Sequence, residues 1–202
     1  MTNQVFIRNM NERRVLTLLR KEGLLSRAEI ARRLSLTRSG VTYLVDALLA
    51  QKLVNEATAN PAATPSRELG RPGVALTLNP TGHYFLGVEI GVAIVRLALV
   101  NMVLEPVRTE TIDLHQSPDP QSAVKLINKF LGVCEADKRF KGRVRAIGVT
   151  VPGLVRSDGF VLHLPILGWR NVNFLALAEQ SFDIPISIEN NANAAAFGAS
   201  RS

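Results

Sequence analysis

The chain has 202 residues, 24 Lys+Arg against 17 Asp+Glu, and a formal net charge of +7 at neutral pH. That length allows one to two domains, and 47% hydrophobic residues are enough to fill their cores. A single cysteine, Cys134, excludes an intrachain disulfide and a Cys-based metal cluster. The polar start MTNQVFIRNMNERR does not read as a signal peptide, and no apolar run approaches the roughly 18 residues of a membrane span, so a soluble cytoplasmic protein is expected.

In chain order, Val15, Leu16, Leu18 and Leu19 predict a helix over about Asn9 to Lys21. Ser26 and Glu29 then fit the S-x-x-E capping box that opens a second helix. Ala28, Ile30, Ala31 and Leu34 give it a buried face, with Arg27, Arg32 and Arg33 left exposed. Leu34-Ser35-Leu36 is a turn, and Thr37 caps a third helix that buries Val41, Leu44, Val45 and Leu48. Between those apolar positions stand Arg38, Ser39, Thr42 and Tyr43, side chains that suit base edges and phosphates in a major groove. Any two short amphipathic helices could share this pattern. Two further apolar stretches, Leu53-Val54 and Val74 to Leu78, suit the strands of a wing and predict a winged helix-turn-helix.

Charge agrees with contact to double-stranded DNA. Residues 1–82 hold 12 basic and 6 acidic side chains, whereas residues 83–202 hold 12 and 11. The surplus lies almost wholly in the helix-turn-helix part, where it can displace counterions from phosphates. The Ala-, Pro-, Thr- and Gly-rich stretch NEATANPAATPSRELGRPG reads as an exposed loop. Its Arg67 and Gly70-Arg71-Pro72 fit an arm in a narrow minor groove or, equally, a plain turn before the second wing strand. Asn79-Pro80-Thr81-Gly82 punctuates the join, giving a DNA-binding domain over residues 1–80 and a second domain over residues 81–202.

From Tyr84, two apolar runs around a Glu89-Ile90-Gly91 break predict a β-hairpin, and Val107 to Leu114 a third strand. Gln121 to Asp137 is helical by its spacing, with Val124, Ile127, Phe130, Leu131 and Cys134 inward. Ala146 to Val151 is a continuous apolar strand, as in a sheet buried on both faces, and ends at Pro152-Gly153, where open α/β sheets bind ligands. Ala176 to Phe182 predicts a short helix, Ile184 to Glu189 a strand and Asn191 to Ala199 a helix. The fold class is α/β with one sheet.

Four motifs in order give a resemblance: Leu86-Gly87-Val88-Glu89-Ile90-Gly91, Gly148-Val149-Thr150-Val151-Pro152-Gly153, Pro165-Ile166-Leu167-Gly168-Trp169, and Ile188-Glu189-Asn190-Asn191-Ala192-Asn193-Ala194-Ala195-Ala196. The chain resembles the ROK family of sugar-responsive bacterial repressors and sugar kinases, with an actin-like, ribonuclease H-like ATPase fold. The winged helix, Gly70-Arg71-Pro72 and Leu78-Asn79-Pro80 resemble its repressor branch. In the kinases a motif like Asp-x-Gly-Gly-Thr holds ATP phosphates and magnesium. Here the corresponding residues are Glu89, Ile90, Gly91, Val92 and Ala93, a degenerate phosphate motif lacking the second glycine and the hydroxyl.

The kinases also carry Glu-Asn-Asp-Ala-Asn, whose Asp is the general base. This chain has Asn191 at that position, and an amide cannot take the proton at neutral pH. The resemblance therefore implies a regulator with no catalytic residue and no cofactor. Asn190 and Asn191 would contact a sugar or sugar-phosphate effector, with Glu189, Gly153 and the Leu164 to Trp169 loop shaping the pocket. Helix capping by the asparagines, or a structural role for Glu189, fits the same residues. Family members continue into a second lobe with a zinc site and most of a homodimer interface. This chain ends at Gly198-Ala199-Ser200-Arg201-Ser202 without metal-ligand spacing in His83, His115 and His163, so it reads as a fragment or a truncated product. An ATP-dependent sugar kinase, and a DNA-binding product that no longer senses sugar, remain the alternatives.

Overall fold

The computed structural model of the chain describes residues 3–57 and 74–199, so Arg67 and the Gly70-Arg71-Pro72 tripeptide lie outside the described residues. The first helix, α1, spans Asn3–Glu22 and so begins six residues ahead of the predicted Asn9. Its opening turns leave Val5, Phe6, Ile7 and Met10 exposed, so they have no buried stripe for periodicity to reveal. Strand β1 (Leu25–Ser26) then leads directly into α2 (Arg27–Leu34).

Both halves of the predicted capping box form. The Glu29 N–H donates to Ser26 Oγ at 3.2 Å, and the Ser26 N–H donates to Glu29 Oε2 at 2.8 Å. The predicted buried face of α2 is corrected, because Ala28 is exposed and Arg27 is half-buried. At about 100° per residue, Arg27 rather than Ala28 falls in line with Ile30 and Leu34. The helix stops at Ser35, which takes a left-handed conformation with φ 54°. Thr37 caps α3 (Arg38–Ala50) by accepting the Gly40 N–H at 3.1 Å, and α3 buries Val41, Leu44, Val45 and Leu48 as predicted.

The wing strands are β2 (Val54–Ala57) and β3 (Ala75–Leu78), antiparallel with Val54 opposite Leu78. Strand β1 pairs with the other edge of β3, giving a three-stranded sheet in the order β1-β3-β2. This third strand was not legible, since two residues carry no periodicity. Asn79 pins the exit of the unit to the turn after α3: its N–H donates to the Leu53 carbonyl at 3.0 Å and its Nδ2 to the Lys52 carbonyl at 2.9 Å.

The contacts divide the chain into Met1–Gly82 and His83–Ser202. In the second unit, β4 (Tyr84–Gly91) and β5 (Ile94–Asn101) form a hairpin followed by β6 (Pro106–Asp113) and α4 (Pro120–Ala136). The predicted break at Glu89-Ile90-Gly91 is corrected, because those residues finish β4 and the turn is Val92-Ala93, with Ala93 at φ 53°. Strand β7 (Val144–Val151) follows. A five-stranded mixed sheet has the order β11-β7-β4-β5-β6, in which β11 (Ile186–Asn190), β7 and β4 run parallel.

A small sheet that the one-sheet reading missed packs beside it: β8 (Leu154–Val155), β9 (Phe160–Leu164) and β10 (Trp169–Asn173). The short helix α5 is Phe174–Glu179, earlier than predicted, and α6 is Asn191–Ala199. One face of the large sheet is apolar: Leu86, Val88, Ile90, Val95, Leu97, Leu99, Ile147 and Val149 form a core with Ile127 and Phe130 of α4. The expectation of a β7 buried on both faces fails, since Arg145 and Gly148 are exposed. Its run reads as apolar because the open face uses Ala146 and Gly148, which are small rather than core-forming.

Candidate functional site

In the winged helix-turn-helix, Ser39, Thr42, Tyr43 and Asp46 fall on one exposed face of α3, opposite the buried Val41-Leu44-Val45-Leu48 stripe. Arg38 opens the helix, is exposed, and makes no ion pair with any described residue. The Thr42 hydroxyl donates to the Arg38 carbonyl at 3.0 Å, which uses its donor within the helix and leaves its oxygen to accept and its methyl for apolar contact. Tyr43 is 61% exposed and borders an open groove of about 440 Å³ shared with Val5, Ile7 and Arg8 of α1. Gly40 serves the same helix: a Cβ there would meet Thr37 Oγ1 at 2.9 Å and disturb the cap. Arg67 and Arg71, the predicted minor-groove residues, lie outside the described residues.

In the second unit, strand register brings three of the four family motifs together. Glu89 pairs with Arg96 on one side and Thr150 on the other, and Thr150 pairs with Glu189. Paired residues share a face, so Arg96, Glu89, Thr150 and Glu189 form one polar row across four strands at spacings of about 4.8 Å. The row beneath it is Ala98, Gly87, Gly148 and Ser187. A Cβ on Gly148 would meet nothing within 4 Å. This is a shallow floor with a polar rim on the uncovered side of the sheet. Sequence reasoning missed Arg96 and Thr150, whose place is a matter of register rather than motif.

The rim has specific chemistry. The Arg96 guanidinium sits 3.0 Å from the Glu89 carboxylate, an ion pair between two partly exposed side chains. Val92 is exposed and Ala93 occupies the left-handed turn position. A Glu paired with Arg96, a branched side chain and a missing hydroxyl do not fit magnesium and ATP phosphates. Among the described residues no group of His, Cys, Asp and Glu could hold a metal ion.

Asn190 uses both ends of its amide and keeps one Nδ2 hydrogen. Its Nδ2 donates to the Gly153 carbonyl at 2.7 Å, and its Oδ1 accepts the Ala192 and Asn193 N–H groups at 2.8 and 3.3 Å. It thus ties the turn after β7 to the start of α6. Gly153 is closely packed: a Cβ there would lie 2.5 Å from Leu164 Cδ1 and 3.0 Å from the His163 carbonyl oxygen. Glu189 Oε1 accepts the Asn190 N–H at 2.7 Å and Asn193 Nδ2 at 3.1 Å. Asn191 is exposed, with Oδ1 accepting the Ala192 N–H at 3.0 Å.

The loop expected to shape the pocket is half core: Leu164, Leu167 and Trp169 are buried, while Pro165, Ile166 and Gly168 are exposed. Trp169 stacks on Phe174 at 5.5 Å and its Nε1–H donates to the Pro118 carbonyl at 2.8 Å. A buried indole with its one donor satisfied is a packing residue.

The ROK family model matches residues 85–201, and the MarR family model matches residues 9–62. A xylose repressor of Caldicellulosiruptor bescii is 28% identical over 201 residues, covering 98% of this chain and 49% of the relative. A xylose repressor of Bacillus subtilis is 26% identical over 200 residues, covering 97% of this chain and 50% of the relative. The crystal structure of a ROK family transcriptional regulator, a homolog of the E. coli MLC protein, superposes with a TM-score of 0.74 at 28% identity. That superposition covers 94% of this chain and 47% of the other. The chain thus spans about half the length of the curated relatives it matches. With a family model covering more than half of the sequence, and three of its motifs meeting in one polar row, the chain belongs to the ROK family.

Proposed function

We propose that the chain is a DNA-binding, sugar-responsive transcriptional repressor of sugar-metabolism genes. The observation that carries this reading is a winged helix-turn-helix on the same chain as a ROK lobe whose phosphate motif has Val92 and Ala93 after Gly91, with Glu89 paired to Arg96. The similarity to xylose repressors along nearly the whole chain supports it. Arg38, Ser39, Thr42 and Tyr43 read an operator in the major groove, and Arg67 and Arg71 reach the minor groove beside it. A sugar or sugar phosphate binds at the β7 and β11 ends, contacted by Asn191 and Glu189, with Asn190 and Gly153 holding the turn. Because Asn191 stands where the kinases place their base, the sugar is bound without turnover. Its binding energy differs between DNA-competent and DNA-incompetent arrangements, and that difference is the signal. With a second lobe the repressor acts as a homodimer on a two-fold operator.

The test joins two assays on the same preparation. Mobility-shift titration against DNA upstream of its own gene should show a sequence-specific complex that one sugar releases or tightens. A coupled assay for ADP release with that sugar and ATP should stay at background. ADP release at enzymatic rates, without a DNA complex, would favour the kinase instead.

A further inference from the structure

We propose that Arg27 is a positioning residue for sequence readout, holding the recognition helix to the first wing strand; this rests on the DNA-binding reading above. The capping box fixes Arg27 as the first residue of α2, directly after Ser26. From there one guanidinium reaches two other elements. Its Nη2 lies 3.3 Å from Asp46 Oδ1 on α3, and its Nη1 lies 3.0 Å from Glu56 Oε1 on β2. A planar guanidinium offers its donors in a fixed fork, so it sets the angle between two partners as well as their distance.

The placement of Asp46 gives the clamp its consequence. Asp46 follows Thr42 by one turn on the exposed face of α3. Its side chain is 61% exposed and forms one end of the clamp. Arg27, whose side chain is 28% exposed, is enclosed between this carboxylate and that of Glu56. It contrasts with Arg38, which has no ion-pair partner among the described residues and is free to meet DNA. An arginine committed to two carboxylates is a poor phosphate ligand and a good spacer. By fixing α3 against β2, it lets the helix and wing meet adjacent grooves in one register, which matters for the correct sequence and not for DNA in general.

The test uses the 202-residue chain and two probes of equal length: a duplex enriched by the wild type from a random-sequence pool, and an unrelated duplex. Affinity for each is measured across a salt series in wild type, Arg27→Met, Asp46→Asn and Glu56→Gln. Each variant should lower the ratio of specific to non-specific affinity by about fivefold, the scale of one or two partly exposed ion pairs. Arg27→Met should keep the wild-type slope of log K against log salt. Loss of folded protein lowers both affinities together and leaves their ratio alone, and the two carboxamide variants are close in shape to the residues they replace.

Equal weakening on both duplexes by Arg27→Met, with a slope shallower by about one phosphate, would overturn the proposal and make Arg27 a direct contact. Unchanged ratios in Asp46→Asn and Glu56→Gln would also overturn it. A wild type that enriches no sequence would overturn the DNA-binding reading and the clamp together, whereas enrichment with unchanged ratios removes the clamp alone.

Discussion

Two glycine-to-alanine changes should move stability in opposite directions, and the difference follows from what each new methyl meets. At Gly82 a Cβ would lie 1.9 Å from the Lys52 carbonyl oxygen, about 1.5 Å inside ordinary contact, and 3.0 Å from Asn79 Nδ2. Lys52 is already left-handed at φ 59°, so its turn has little room to yield. Relief requires opening the Asn79 bonds to Lys52 and Leu53, at 2.9 and 3.0 Å. Overpacking costs about 1–3 kcal/mol and each lost bond about 0.5–1.5 kcal/mol, so Gly82→Ala should lose roughly 2–4 kcal/mol.

Gly132 is the control: it is exposed on α4, and a Cβ there meets nothing within 4 Å. Gly132→Ala should gain about 1 kcal/mol from helix propensity alone. Urea unfolding followed by both far-UV circular dichroism and fluorescence separates the sites, because the only Trp, Trp169, is in the second unit. Gly82→Ala should lower the dichroism midpoint, and Gly132→Ala should raise the fluorescence midpoint. A Gly82→Ala chain within about 0.5 kcal/mol of wild type would refute the reasoning about the junction.

Further predictions concern individual side chains. Arg38→Ala should weaken operator binding by about 1–3 kcal/mol if the guanidinium reads a base, measured as a change in Kd on the enriched duplex. Ala93→Gly should stabilise the second unit by about 0.5–1 kcal/mol, since it removes the left-handed penalty at φ 53° and returns part of that gain as unfolded-state entropy; a lower fluorescence midpoint would contradict this. Hydrogen bonds from the Ser26 backbone N–H and then its hydroxyl hold the Glu29 carboxyl below the usual glutamate range. The charged form is therefore the one the fold favours, and its contribution is complete above the usual glutamate pKa and fades as pH falls through the lowered value. The stability margin of wild type over Glu29→Gln should narrow on acidification and stay level from neutral to mildly alkaline pH.

What the sequence displayed depended on whether a signal was local. The Ser26–Glu29 box and the Thr37 cap are contacts three residues apart, and both formed where their residue types required. The buried stripes of α3 and α4 were legible for the same reason, being sustained at helical spacing over three turns or more. The early start of α1 was hidden because its first turns bury nothing. Glu89-Ile90-Gly91 looked like a break because glycine near a charge suggests a turn, yet the register places the turn two residues later. Trp169 lay in a loop-like motif but packs on Phe174, a partner that tertiary structure alone supplies. Asn190 sits in a motif that points to sugar contact, and its three hydrogen bonds also tie Gly153 to α6, a tertiary link that spacing does not reveal. The polar row of Arg96, Glu89, Thr150 and Glu189 draws on four strands, so no single motif could announce it.

The central claim joins DNA binding to sugar sensing in a ROK chain that does no phosphoryl transfer. It is tested most directly by a footprint on the DNA upstream of its own gene and of neighbouring sugar-uptake genes, repeated with a panel of sugars. The expected result is protection of a two-fold site that one sugar relieves or strengthens, with Arg38→Ala needing more protein for the same protection. No protection on any such fragment at low salt would contradict it.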